Sequence, residues 1–208
     1  MWTVGGPLSD ATASIRPQDA GRFPLLTPAS LTAEQRVVYD SIAGHPRGDG
    51  PFTIVYDDGA LAGPFNALLL SPAIGDAVQS LGAALRFSGA LDGRLRELVI
   101  CAVSADLDSA YEWYAHSRMA ATVGIDEVEL DHLGRGSEPP TLSPAERAAL
   151  AFTRTLLRDG AVDDDSHARV LTFFGHAGVV ELSLLVGYYR MLAGLLAAGD
   201  IPAPGAGP

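Results

Sequence analysis

The stretch "RELVICAVSADLDSAYEWYAH", Arg96 to His116, holds three side chains whose types suit proton transfer: Glu97, Glu112 and His116. An imidazole titrates near neutrality, and a carboxylate taken out of water is pushed up toward it, so the three together could hold and pass a proton. Each also has an ordinary structural reading. Glu97 sits in an apolar run with Arg94 and Arg96 close by. It pairs with one of them at a solvated helix edge, or it is buried and must then be paired, hydrogen-bonded or protonated. Ser109 and Glu112 fit S-x-x-E, a capping box in which the glutamate reaches back to the cap's backbone N–H, and the positive end of a helix favours an ionised carboxylate. His116 follows Glu112 by four residues, on the same helix face. That spacing suits a surface ion pair worth a few tenths of a kcal/mol, or an imidazole oriented by a carboxylate. Tyr111, Trp113 and Tyr114 crowd the same turn as core or as pocket wall.

The rest of the chain offers no competing chemistry. His45, His132, His167 and His176 show neither H-x-x-x-H nor H-E-x-x-H spacing, so no metal site is expected. There is no G-x-S-x-G elbow, no P-loop and no glycine-rich turn after a strand, and hence no sign of a cofactor. A single cysteine, Cys101, lies inside "LVICAV" and reads as a small buried thiol. It rules out an internal disulfide or a Cys-x-x-Cys pair.

The elements that must position these residues are helical. Thr32 with Gln35 forms a capping box ahead of "VVYDSIA", and Ser71-Pro72 opens a helix running to about Ser88. Asp92 caps a helix from Gly93 to about Ala105, with Leu95, Leu98, Val99, Ala102 and Val103 facing inward. Ser109 starts the next helix, which ends at Gly124, and "IDEVELDHL" follows as a short amphipathic one. Ser143 to Glu146 is a second capping box, with proline at the first helical position, and Asp163–Phe174 and Val179–Ala198 complete the set. "FTIVY" is a short strand or a packed extended loop. About eight or nine helices with short connections predict an all-α domain over residues 31–200. Residues 1–30 form a Gly/Pro/Ser/Thr-rich N-terminal arm, and 201–208 a flexible tail.

Composition narrows the partners. With 48% hydrophobic and 19% charged residues the chain can build a real core. A net charge of −11 and the absence of any arginine run argue against a nucleic-acid partner. All 14 basic residues are arginine, which we read as codon bias. The N-terminal residues lack the basic patch and apolar core of an export signal. The most apolar segment, Val179–Gly199, carries Glu181 and Arg190, so it reads as a buried helix rather than a membrane span. A cytoplasmic location is the expectation.

Taken together, "GPFNALLLSP", "GALDGRLRELVICAVSADLDSAYEWYAHSRMAATVGI" and "ELSLLVGYYRMLAGLL" resemble the carboxymuconolactone decarboxylase family, in the alkylhydroperoxidase D-like superfamily. In its redox-active branch a glutamate is followed, twelve, fifteen and nineteen residues on, by the two cysteines of a Cys-x-x-Cys pair and a histidine. Counted from Glu97, those offsets reach Ser109, Glu112 and His116. Glutamate and histidine are kept and both cysteines are replaced, so thiol-based peroxide chemistry is not expected at this site.

The resemblance implies an alkylhydroperoxidase D-like helical bundle and a cofactor-independent lyase of the decarboxylase type. Isomerase, dehydratase or cyclase chemistry on a secondary metabolite would use the same parts. The expected substrate is a small organic acid, lactone or enolisable compound. His116 would be the general acid or base, with Glu112 orienting it and Glu97 as a second proton carrier, while Tyr111, Trp113, Ser109 and Phe65 bind substrate. The resemblance also implies a homo-oligomer, dimer or trimer or hexamer, with "FNALLLSPAIGDAVQSLGAAL" as the candidate contact surface. The alternative is a non-catalytic helical oligomer that binds a small molecule or a protein, in which Glu97, Glu112 and His116 are structural.

Overall fold

Side-chain caps fix where most of the helices begin. In the computed structural model, which describes residues 21–45 and 50–205, eight α-helices follow one another and no strand forms among the described residues. They are α1 (Ala33–Ala43), α2 (Pro64–Leu69), α3 (Pro72–Phe87), α4 (Gly93–Asp106), α5 (Ala110–Thr122), α6 (Glu127–Gly134), α7 (Pro144–Asp159) and α8 (Asp164–Gly199). Thr32 with Gln35 and Ser143 with Glu146 form the expected capping boxes, and Asp92 accepts a hydrogen bond from the Leu95 N–H at the start of α4. Asp126 and Glu129 make a third box at α6. The two C-terminal helices expected from sequence are one helical run broken at Gly175, whose φ of 64° and ψ of −177° only glycine adopts readily.

"FTIVY" folds as a packed loop. Val55 and Leu61 make one isolated antiparallel bridge, while Phe52, Ile54 and Tyr56 point inward with the alternation of an extended chain. The loop turns into α2 at Gly63, where a φ of 58° and the closeness of the Tyr111 ring leave no room for a Cβ. The part of the arm that the structure describes is anchored. Arg22 N–H donates to the Gly199 carbonyl at 2.6 Å, and Asn66 bonds both Leu26 N–H and the Pro24 carbonyl. Ile201, assigned to the tail, is buried. Residues 1–20 and 206–208 lie outside the described residues.

Burial falls into two apolar clusters. The larger surrounds α4, from Leu95 through Val103, and takes in Leu150 and Phe152 of α7 with Leu182, Leu185 and Val186 of α8. The smaller joins α1, the 52–62 loop and α2 to Tyr111 and Ala115 of α5 and Leu196 of α8. Helix α5 pairs with α4 through the turn at Leu107–Ser109 and runs along the seam between the clusters. A side chain on its inner face therefore meets both.

Arg94 locks the outer side of α4 in place. Its Nε donates to Glu146 of α7 at 2.7 Å, and its Nη atoms donate to Glu129 of α6. This pairing holds the Glu129 carboxyl well below the usual carboxylate range, chiefly through the Arg94 hydrogen bonds. Arg94 is therefore occupied away from Glu97. Of the two pairings considered for Glu97, the one with Arg94 does not occur; Arg96 Nε lies 3.9 Å from Glu97 Oε1, and the carboxylate is buried rather than at a solvated edge.

Candidate active site

Glu97 enters the site because α4 is buried on nearly every side; the carboxylate is 1% exposed, in the same run as Leu98 to Val103. Across the hairpin, His116 of α5 points its Nδ1 at Glu97 Oε2, 2.7 Å away. Burial raises the Glu97 pKa, but the charge and hydrogen bond of His116, with Arg86 and Arg96 behind them, bring it below its ordinary value. An ionised carboxylate only accepts, so Nδ1 carries the proton and Nε2 is turned to the other side. There it meets Glu112 Oε2 at 3.5 Å. Glu97, His116 and Glu112, each under a twentieth exposed, thus lie in one line.

Glu112 does not cap its helix. Ser109 holds the N-cap position of α5, yet its side chain makes no cap hydrogen bond and its Oγ is buried without a partner. The glutamate turns inward instead. Burial, reinforced by the nearby charge of Glu97 and opposed by His116, pushes its carboxyl up to about 7. The ionised form expected at a helix's positive end is overridden, because desolvation outweighs a dipole worth about 0.3–1 kcal/mol. Its Oε1 has no hydrogen-bond partner.

The free side of this line opens on a cavity of about 30 Å³, room for a water-sized group, lined by Phe52, Phe65, Arg86, Tyr111, Tyr188 and Tyr189 besides the two α5 residues. The Tyr189 ring stands edge-on to His116, with centroids 4.9 Å apart. Gly82, one turn before Arg86, is where Tyr188 packs; a Cβ there would strike its hydroxyl. Of the residues expected to bind substrate, Tyr111 and Phe65 line the cavity. Trp113 and Ser109 do not: Trp113 packs over Gly134 of α6, and Ser109 is sealed in the turn. Arg86, Tyr188, Tyr189 and Phe52 were missed. A tyrosine pair inside the apolar run "LLVGYYRML" is a usable signal, since each phenol needs somewhere polar to point. Arg86 and Phe52 left none.

Cys101 lies one helical turn beyond Glu97 and is fully buried. Burial first, and the Glu97 charge second, push its thiol well above the usual value, the reverse of what a reactive thiolate needs. No group of three or more potential metal-ligating side chains occurs among the described residues.

The raised Glu112 pKa has a consequence for stability. Its carboxyl titrates at about 7 in the folded chain and near the ordinary 4.5 when unfolded, so the folded state holds the extra proton between those values. The contribution is fully present below pH 4.5 and lost as pH rises through about 7. Glu112→Gln removes the titration. The variant is expected to gain on the wild type between pH 4.5 and 8, by up to about 3 kcal/mol. Urea midpoints at pH 5 and pH 8 check this; an unchanged difference would show that Glu112 titrates normally.

Comparison with known proteins bears on the fold. Residues 72–155, from α3 almost to the end of α7, match the model of the carboxymuconolactone decarboxylase family, a span that includes Arg86, Glu97, Glu112 and His116. No curated protein matches the chain. Among solved structures, an uncharacterized peroxidase-related protein from Ralstonia eutropha with the alkylhydroperoxidase AhpD core is similar at a TM-score of 0.73 and 16% identity, over 88% of this chain and 92% of that one. A putative antioxidant defence protein AhpD from Agrobacterium tumefaciens aligns at 0.60 and 20% identity, over 67% and 96%. The debrominase Bmp8, solved with 2,3,4-tribromopyrrole, aligns at 0.67 and 16% identity, over 88% and 91%. At these identities the likeness is one of fold. The segment from α3 to α7 is thus similar to the carboxymuconolactone decarboxylase family, and the chain as a whole has the fold of AhpD-like proteins.

Proposed function

We propose that the protein is a cofactor-independent enzyme that moves protons on a small organic acid, lactone or enolisable metabolite, with a decarboxylation as the first candidate reaction. The family match supports an enzyme-like function at the coarser level. The observation that carries the finer reading is the buried line Glu97–His116–Glu112, ending at a carboxyl oxygen that has no partner inside the protein. Glu97, held ionised, orients the imidazole and stabilises it when it is charged. His116 Nε2 and Glu112 share the mobile proton on the cavity side. This assignment exchanges the roles that the sequence suggested for the two glutamates.

In a decarboxylation, the carbon–carboxylate bond breaks, its electron pair passes into the conjugated carbonyl system, and carbon dioxide leaves. The His116–Glu112 pair gives its proton to the dienolate so formed, at the carbon next to the lactone carbonyl, and the pair is recharged from solvent. The proton source must be filled for this step. Activity toward carboxymuconolactone is therefore expected to fall as pH rises through about 7, with Glu112→Gln losing that limb. A flat pH–rate profile between pH 6 and 8 would contradict the assignment.

The narrowness of the cavity favours a second reading, in which the cluster is structural and the protein binds a ligand or partner without turnover. The two separate on stability. A structural cluster loses stability when His116 is removed, whereas a site kept for chemistry changes little or gains. Self-association is also proposed, on a surface different from the one expected. Phe65–Leu69 of that segment are buried within the chain, and the uncovered apolar side chains are Leu70, Ile74 and Leu81 with Val180, Leu184 and Met191 of α8. Helix α8 is long and apolar enough to cross a membrane by length and composition. Leu182, Leu185, Val186, Tyr188 and Tyr189 on its inner face are buried in the bundle, and Glu181 accepts the Ala90 and Leu91 N–H groups.

A further inference from the structure

Arg86 makes no contact ion pair among the described residues, and its charge acts on ionised Glu97 only from beyond contact distance. It projects from the last turn of α3 into the cavity wall beside Glu112 and His116, and no carboxylate among the described residues lies within ion-pair distance of it. Among the described residues its hydrogen bond goes from Nη2 to the Met119 sulfur at 3.0 Å, a weak acceptor for a group that prefers a carboxylate. It also lies against the Phe87 ring, 5.5 Å from its centroid. The other partly buried arginines of the site's neighbourhood are differently employed: Arg94 holds two glutamates, and Arg96 leans on Glu97 at 3.9 Å.

Two further polar atoms lining the same cavity lack partners. They are Glu112 Oε1 and the Tyr111 hydroxyl, each on a side chain more than nine-tenths buried. A buried polar atom left without a partner costs about 1–3 kcal/mol. A half-buried guanidinium adds a demand for negative charge. One ligand meets all three, presenting an anionic oxygen pair to Arg86 and a polar group to Glu112 and Tyr111.

We infer that Arg86 is the specificity-determining residue of this pocket, an anion anchor that selects a small organic carboxylate over its neutral analogues. The anchor deepens the functional reading above and rests on its identification of the cavity as the ligand site. It does not depend on turnover. A planar guanidinium fits a carboxylate with two parallel hydrogen bonds, which fixes direction as well as charge. Held at Arg86, a ligand larger than a water-sized group must widen the cavity of about 30 Å³ along the Phe52, Phe65 and Tyr111 wall toward His116. Neutral lactones and simple carbonyl compounds without a carboxylate are thereby disfavoured.

Crotonate and crotonamide, nearly identical in shape and different in charge, are suitable probes. Titration followed by protein NMR, with the His116 ring signals reporting occupancy of the pocket, gives their dissociation constants. The wild type is expected to bind crotonate about tenfold or more tighter than crotonamide. Arg86→Gln should bring the ratio to about one, and Arg86→Lys, which keeps charge but not the fork, to a value in between. Equal binding of the two probes by wild type, or no crotonate binding at all, overturns the anchor without needing a variant. So does an unchanged ratio in a folded Arg86→Gln. A lost preference in Arg86→Gln alongside a catalytically silent His116 would keep the anchor and remove the acid–base reading; the reverse pattern would do the opposite.

Discussion

Replacing His116 with alanine is expected to lower kcat by ~10²–10⁴ while leaving the helical bundle folded. The imidazole touches both carboxylates, at 2.7 Å on one side and 3.5 Å on the other. Its removal cuts the path between the ionised Glu97 and the pocket-facing Glu112. It also leaves Glu97 buried beside Arg96 and Arg86 with its hydrogen bond gone. The variant's thermal midpoint therefore belongs beside its turnover number. Loss of turnover with a midpoint within a few degrees of wild type supports catalysis. A large fall in midpoint with no activity in either protein supports the structural reading.

Glu97→Gln is the second large effect, and it acts without changing shape. The carboxylate at this position accepts the Nδ1 proton and so leaves Nε2 as the imidazole's free nitrogen. An amide can donate to Nδ1 instead, which moves the ring proton to Nε2 and faces it toward Glu112. It also removes the negative charge that supports the imidazolium. A loss in kcat of ~10²–10⁴ is expected, comparable to that of removing the histidine, with little change in KM. Ring nitrogen chemical shifts of His116 would show the exchange of tautomers directly. Were turnover within twofold of wild type, Glu97 would be a packing residue.

Local signals made the fold legible: the capping boxes at Thr32 and Ser143, the Asp92 cap and the run of apolar residues in α4 each correspond to an element of the structure. The break between the two C-terminal helices, expected after Phe174, falls at Gly175. At the site, the closeness of Glu97 to His116 follows from a helical hairpin that brings the two faces together; family resemblance indicated it and spacing alone did not. The Ser109–Glu112 pattern pointed the wrong way. A capping box and an inward-turned glutamate share one sequence, and what decides is whether the helix start is solvated or buried. Trp113 could have been placed correctly, since residues two apart on a helix face opposite sides and Tyr111 holds the inner one. Arg86, Tyr188 and Tyr189 reach the cavity from α3 and α8; the tyrosine pair in its apolar run leaves a local signal, whereas Arg86 arrives through packing alone.

The most direct test is to incubate wild type and His116→Ala with carboxymuconolactone in D₂O, following carbon dioxide release and deuterium in the recovered lactone and product. Wild type is expected to release carbon dioxide and place one deuterium in the product at the carbon next to the lactone carbonyl, with His116→Ala slower by ~10²–10⁴. Equal rates in the two proteins, or wild type leaving the lactone intact and unlabelled, would contradict the proposal that this buried cluster transfers protons to that substrate.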